Sequence, residues 1–88
     1  MVNLVNTPEW RVVVKRLLKS EMEAHGVKYR DLSEGLKERF GIVQTEENLR
    51  QKIAKGTLGT QLFLQLILVI GVDSINASQI KMIYDNVK

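Results

Sequence analysis

The residues best equipped for chemistry in this chain lie between positions 45 and 55. Asn48, Arg50, Gln51, Lys52 and Lys55 place two amides and three cations close together, just ahead of Gly56. Groups of these types donate and accept hydrogen bonds and attract anions. No acidic residue occurs between Glu47 and Asp73, so the three cations form a local positive patch. The whole chain carries a net charge of only +3, which favours polyanions mildly. The clustering therefore says more than the total.

Other chemistries lack their residues. The absence of cysteine removes disulfides, thiolate zinc sites and cysteine nucleophiles together, and with one histidine a metal cluster is not expected. Carboxylates are scattered, and no serine has a histidine to work with beyond His25. No glycine-rich phosphate loop is present. His25 lies beside an expected helix C-terminus, where a cation is favoured, so capping outweighs catalysis there. Enzymatic function, a cofactor and a metal are thus not expected, and the pattern implies no small-molecule ligand. The N-terminus lacks a signal-peptide pattern. The longest apolar run, Leu62 to Val72, is interrupted by Gln65 and is too short to span a bilayer, so a cytoplasmic location is expected.

Five helices are expected to position the patch within a single domain covering 1–88, with residues 1–6 unpatterned and loose. Thr7-Pro8-Glu9 reads as a helix start: a hydroxyl cap, proline at the first helical position and an acid at the positive end of the dipole. Trp10, Val13, Val14, Leu17, Leu18 and Met22 then recur at three- and four-residue steps, predicting a core-facing stripe that ends near His25-Gly26. Arg11, Lys15, Arg16 and Lys19 line the polar side of this helix as solvated charges. A second helix runs from Lys28 to Phe40, with Tyr29, Leu32, Leu36 and Phe40 on one face and Gly41 as its close. Gly35 inside it costs about 1 kcal/mol relative to alanine, which predicts a close packing contact.

Thr45 is placed to cap a third helix that starts with Glu46-Glu47-Asn48 and ends at Gly56. Only Leu49 and Ile53 face inward, so most of its surface is left exposed. Thr57 to Thr60 forms a turn, and the following run from Leu62 to Ile70 is apolar on every side, as suits a central helix or a buried strand. Helical neighbours and the lack of a pairing strand favour the helix. Ile80, Ile83, Tyr84 and Val87 mark a fifth, amphipathic helix capped by Asn76 or Ser78.

From Arg16 to Val72 the chain resembles the lambda-repressor-like (Cro/CI-type) helix-turn-helix. The residues that carry the likeness are Leu32-Ser33, the Gly41-Ile42 turn, Leu49 and Ile53 leading to Lys55-Gly56, and Leu66 to Val72. Within that group Asn48-Leu49-Arg50-Gln51-Lys52-Ile53, followed by Lys55-Gly56-Thr57, is more similar still to a small bacterial family of unknown function. The resemblance implies an all-α, compact four- to five-helix domain, with 28–56 as the helix-turn-helix and 60–88 supplying core and dimerisation helices. Lys37 to Phe40 departs from the pattern by adding about one turn to helix 2.

The resemblance further implies that the third helix enters the major groove of double-stranded DNA while helix 2 crosses the backbone. With Leu49 and Ile53 inward, Glu47, Asn48, Gln51, Ala54 and Lys55 point outward, flanked by Arg50 and Lys52. Asn48 and Gln51 then suit adenine, and Arg50 or Lys52 suits guanine. Lys28, Tyr29, Arg30 and Lys55 suit phosphates, and Thr45 stands at the entrance. Tyr29 occupies the place where a glutamine often supports DNA contacts. A transcriptional regulator is the implied role. A homodimer through Leu62, Leu66, Ile80, Ile83, Tyr84 and Val87 would read two half-sites about 34 Å apart.

Blander readings stand beside these. The cations of helix 3 can be a solvated face, and Asn48 can serve the helix cap. Glu46 and Glu47 stabilise the helix start by about 0.3–1 kcal/mol but repel phosphate. They favour the alternative of a protein-interaction module on the same fold. RNA binding ranks lower, because aromatics are too few for stacking platforms.

Overall fold

The computed structural model describes residues 8–87, and within them the chain folds as five α-helices without strands. These are α1 (Pro8–His25), α2 (Tyr29–Phe40), α3 (Glu46–Lys55), α4 (Thr60–Ile70) and α5 (Ala77–Val87). The expected Thr7 cap and the unpatterned residues 1–6 lie outside the described range.

Helix boundaries follow local chemistry. Thr45 accepts the Asn48 backbone N–H on its hydroxyl at 3.0 Å, so the cap of α3 is made by Thr45 and not by the Asn48 side chain. At α5 the cap is Asn76, whose side-chain oxygen takes the Gln79 N–H at 2.8 Å. Gly41 ends α2 at φ 66°, a left-handed turn that costs an L side chain about 1–2 kcal/mol. Its N–H and that of Ile42 return to the Lys37 and Leu36 carbonyls, satisfying the end of the helix.

Leu18, Met22, Leu32, Leu36, Leu49, Ile53, Leu66 and Ile70 form one buried cluster drawn from α1 to α4. No polar side chain is fully buried among the described residues. The third helix is anchored as expected by Leu49 and Ile53, both wholly enclosed. At Gly35 an added Cβ would stand 2.5 Å from Val69 Cγ1, which explains the glycine: α2 and α4 touch there, backbone against side chain. Gly56 plays the same part between α3 and α1, lying against the backbone of Arg11.

Three expectations need correction. The Leu62–Ile70 run is helical but not enclosed: Leu66 and Ile70 are buried, while Leu64 and Leu68 are 56% and 51% exposed. Four helices are too few to cover an apolar rod all round, so α4 buries one side only. Trp10 is not a core residue. It is 44% exposed and stacks on Tyr84, with ring centroids 4.7 Å apart and planes 14° from parallel. That stack is part of the seat of α5, which packs on α1 alone among the described helices and buries no residue completely. Finally, Leu66 lies wholly inside the core and is unavailable to a second copy, whereas Leu62, Ile80, Ile83, Tyr84 and Val87 are half-buried within the chain.

Candidate functional site

The axis of α4 turns by 113° from that of α3 across the short connection between them, and α3 packs on α1 and α2 through its buried side. Stepping at 100° per residue from its two buried anchors places Glu47, Asn48, Gln51, Ala54 and Lys55 on the outer face. All five are exposed. Neither Gln51 nor Lys55 is packed beneath another part of the chain, so α3 offers an open strip of amide and amine groups.

The flanks of that strip differ. On one flank Arg50 is held within its own helix: its guanidinium reaches Glu47 at 2.9 Å and Glu46 at 3.7 Å, and lies 5.1 Å from the centroid of the Tyr29 ring. Spacings of three and four residues bring these partners together on the helix surface. Glu47 also takes a 3.4 Å hydrogen bond from the Gln51 amide. The positive charge of Arg50 is therefore already answered by carboxylates at the start of α3.

Lys52 belongs to the other flank. It is half-buried and donates at 3.2 Å to the side-chain oxygen of Gln44, in the turn between α2 and α3. Gln44 is bonded a second time, its carbonyl accepting the Ser33 hydroxyl at 2.7 Å. The pair Ser33 and Lys52 thus clasps the turn from both helices. Lys52 is accordingly removed from the group formed by Asn48, Gln51 and Lys55.

The start of α2 supplies the remaining predicted residues. Lys28 is its exposed cap residue, with a backbone N–H donated to the Asp31 carboxylate at 2.9 Å. Tyr29 is half-buried against the core, its ring beneath Arg50, and Arg30 is exposed in the first turn. Thr45 is exposed at the N-cap of α3. The structure therefore joins Lys28 and Tyr29 to Arg50, and Asn48 and Gln51 to Lys55, as two adjoining patches.

Residues outside the predicted set belong here too. A cleft of about 360 Å³ between the end of α1, the start of α2 and the start of α3 is lined by Lys19 and Glu23 together with Lys28, Tyr29, Glu46 and Arg50. Lys19 is exposed, as expected of a solvated charge of α1, and it also lines this cleft. Only its position relative to α3 shows this, and no local spacing announces it. Gln44 is the other addition, and its two bonds likewise span different elements.

Chemically, the arrangement offers hydrogen-bonding groups on the exposed face of a helix, cations beside them and carboxylates that hold one of those cations. Among the described residues no group of three or more metal-ligating side chains comes together. No single described helix is long and apolar enough to cross a membrane.

No curated protein and no solved structure matches the chain. A family model described as a domain of unknown function, DUF6471, matches residues 10–75, from the first turn of α1 through α4 and into the loop before α5. That span contains every residue of both patches and of the cleft, and the chain belongs to this family.

Proposed function

We propose that α2, the turn and α3 form a helix-turn-helix of the lambda-repressor type and that the chain binds double-stranded DNA. One observation carries the reading. α3 is secured by Leu49 and Ile53 alone and leaves Asn48, Gln51 and Lys55 exposed on its opposite side. A helix about 10–12 Å across fits a major groove about 12 Å wide. Paired amide hydrogen bonds then read adenine from Asn48 and Gln51, while Lys55, Lys28 and Arg30 meet phosphates. A cytoplasmic regulator of transcription is the role that suits such a module. If two copies assemble, their contact excludes Leu66.

The direct test follows backbone amides by NMR while random duplex DNA is added at low and moderate salt. Shifts confined to α3 and the start of α2, weakening steeply as salt rises, support the reading. A spectrum unmoved at low salt ends it.

A second reading, a protein-interaction module without DNA, is favoured by the ion pairs of Arg50 with Glu46 and Glu47. Leu64 and Leu68 would then provide the apolar contact. That reading requires binding that resists salt and fails when these leucines are changed.

A further inference from the structure

Glu47 is the acid on the outer strip of α3, beside Asn48, Gln51 and Lys55, whereas its neighbour Glu46 lines the cleft. The Glu47 carboxylate is held in one orientation. Its Oε2 accepts the Arg50 guanidinium at 2.9 Å, and its Oε1 accepts the Gln51 amide at 3.4 Å. The first bond has full strength and fixes the group; the second is longer than a good N–H···O contact of about 2.7–3.2 Å. Oε1 therefore has room for a better donor, since an ionised carboxylate accepts at about four lone-pair sites and donates at none. Stabilising the helix start needs negative charge in the first turn but no such orientation. Resting on the DNA reading above, we propose that Glu47 is a specificity-determining residue that accepts the N4 amino group of cytosine in the major groove.

A group that only accepts selects among base edges. Guanine shows acceptors in the major groove, and thymine an acceptor and a methyl group, so both are set against a carboxylate. Adenine offers its N6 amino group, but acceptors flank it on both sides: its own N7 and O4 of the paired thymine. Cytosine presents the N4 amino group with an acceptor on one side only, and is the favoured partner. The wrong bases leave a desolvated charge facing acceptors, which is how they are rejected. Gln51 stands four residues on, about 6 Å along the helix axis, against roughly 3.4 Å per base pair. The cytosine should therefore lie one or two base pairs from the adenine read by Gln51. Because the same carboxylate repels phosphate, it lowers affinity for random DNA while raising the contrast between sequences.

Selection of duplexes from a random pool by the full chain, followed by fluorescence anisotropy on the enriched duplex, tests this. The enriched site should hold a C·G pair one or two base pairs from an A·T pair. Changing that C·G to T·A should weaken binding about tenfold. In Glu47→Gln, whose amide donates as well as accepts, the same change should cost no more than about twofold. Glu46→Gln removes an equal charge from the neighbouring position and should keep the tenfold contrast, which separates base reading from net charge. The base-pair change on the parent chain does not depend on any variant folding. A chain that binds no duplex at low salt overturns the DNA reading and this inference with it. Binding without an enriched cytosine, undiminished contrast in Glu47→Gln, or loss of contrast in Glu46→Gln overturns this inference alone.

Discussion

Arg50 lies over the ring of Tyr29, its guanidinium 5.1 Å from the ring centroid, and so ties the first turn of α2 to the second turn of α3. Glu46 and Glu47 lie against the same guanidinium at 3.7 and 2.9 Å. Arg50 is thus the meeting point of the two helices and of the opposing charges, and most of the expected behaviour of the site passes through it.

Replacing both glutamates, Glu46→Gln with Glu47→Gln, frees Arg50 and removes two charges that repel phosphate. The double variant should bind random duplex DNA about tenfold tighter at low salt and with a steeper salt dependence. The same change takes two acids from the N-terminal turn, each contributing about 0.3–1 kcal/mol, so the melting temperature should fall by several degrees. Fluorescence anisotropy at two salt concentrations, with thermal melts alongside, reads both effects. Unchanged affinity would show that these carboxylates do not oppose DNA.

Gly35→Ala should destabilise the fold even though alanine is the better helix former. The helix gains about 1 kcal/mol, but the new methyl meets Val69 Cγ1 at 2.5 Å, and overpacking of this kind costs about 1–3 kcal/mol. In a Val69→Ala background the same substitution should cost nothing or stabilise. Urea denaturation of the four proteins of this cycle measures the coupling. A cost that persists without the valine methyls would place the constraint elsewhere.

Gly41 and Gly56 share a left-handed φ of 66° and 65°, yet differ in surroundings. A Cβ at Gly41 meets open space, whereas one at Gly56 runs into the Arg11 backbone. Gly41→Ala should therefore cost about 1–2 kcal/mol from backbone strain alone, and Gly56→Ala clearly more. Matched denaturation curves decide it, with equal losses counting against the close approach of α1 and α3.

The helix caps and the inward pair Leu49 and Ile53 were legible in the sequence because each depends on residues a few positions apart. Thr45, Gly41 and Gly56 act within one turn, and a polar helix with two aliphatic residues has only one way to face a core. α4 offers no such contrast. Its apolar residues surround the axis, so nothing in the sequence separates buried Leu66 and Ile70 from exposed Leu64 and Leu68. Trp10 was equally ambiguous, since a ring in an apolar stripe can face a neighbouring helix at the margin as readily as the centre. The clasp of Gln44 and the shared cleft of Lys19 and Lys28 depend on how whole helices pack, and no short-range pattern encodes them.

The division within α4 has a direct energetic consequence. Leu66→Ala should cost about 2–5 kcal/mol, the usual range for emptying a closed core site. Leu64→Ala should change stability by no more than about 0.5 kcal/mol, since that side chain is already mostly in water. Similar losses at the two positions would mean that the leucine at 64 is covered in solution.

α5 should be the first element to open. It rests on α1 alone among the described helices and contributes nothing to the enclosed cluster. Its amides should exchange with solvent faster than those at the centres of α2, α3 and α4. Tyr84→Ala should quicken that exchange further and shift the emission of Trp10, the only tryptophan, to longer wavelength. Uniform exchange across all five helices would instead mark a single cooperative unit.

Gln44 takes a hydroxyl from one helix on its carbonyl and an ammonium from the other on its side chain. Bonds to the elbow from both sides oppose its bending, so they restrain the angle between α2 and α3. A restrained angle leaves the chain less conformational freedom to surrender if α3 is engaged as proposed.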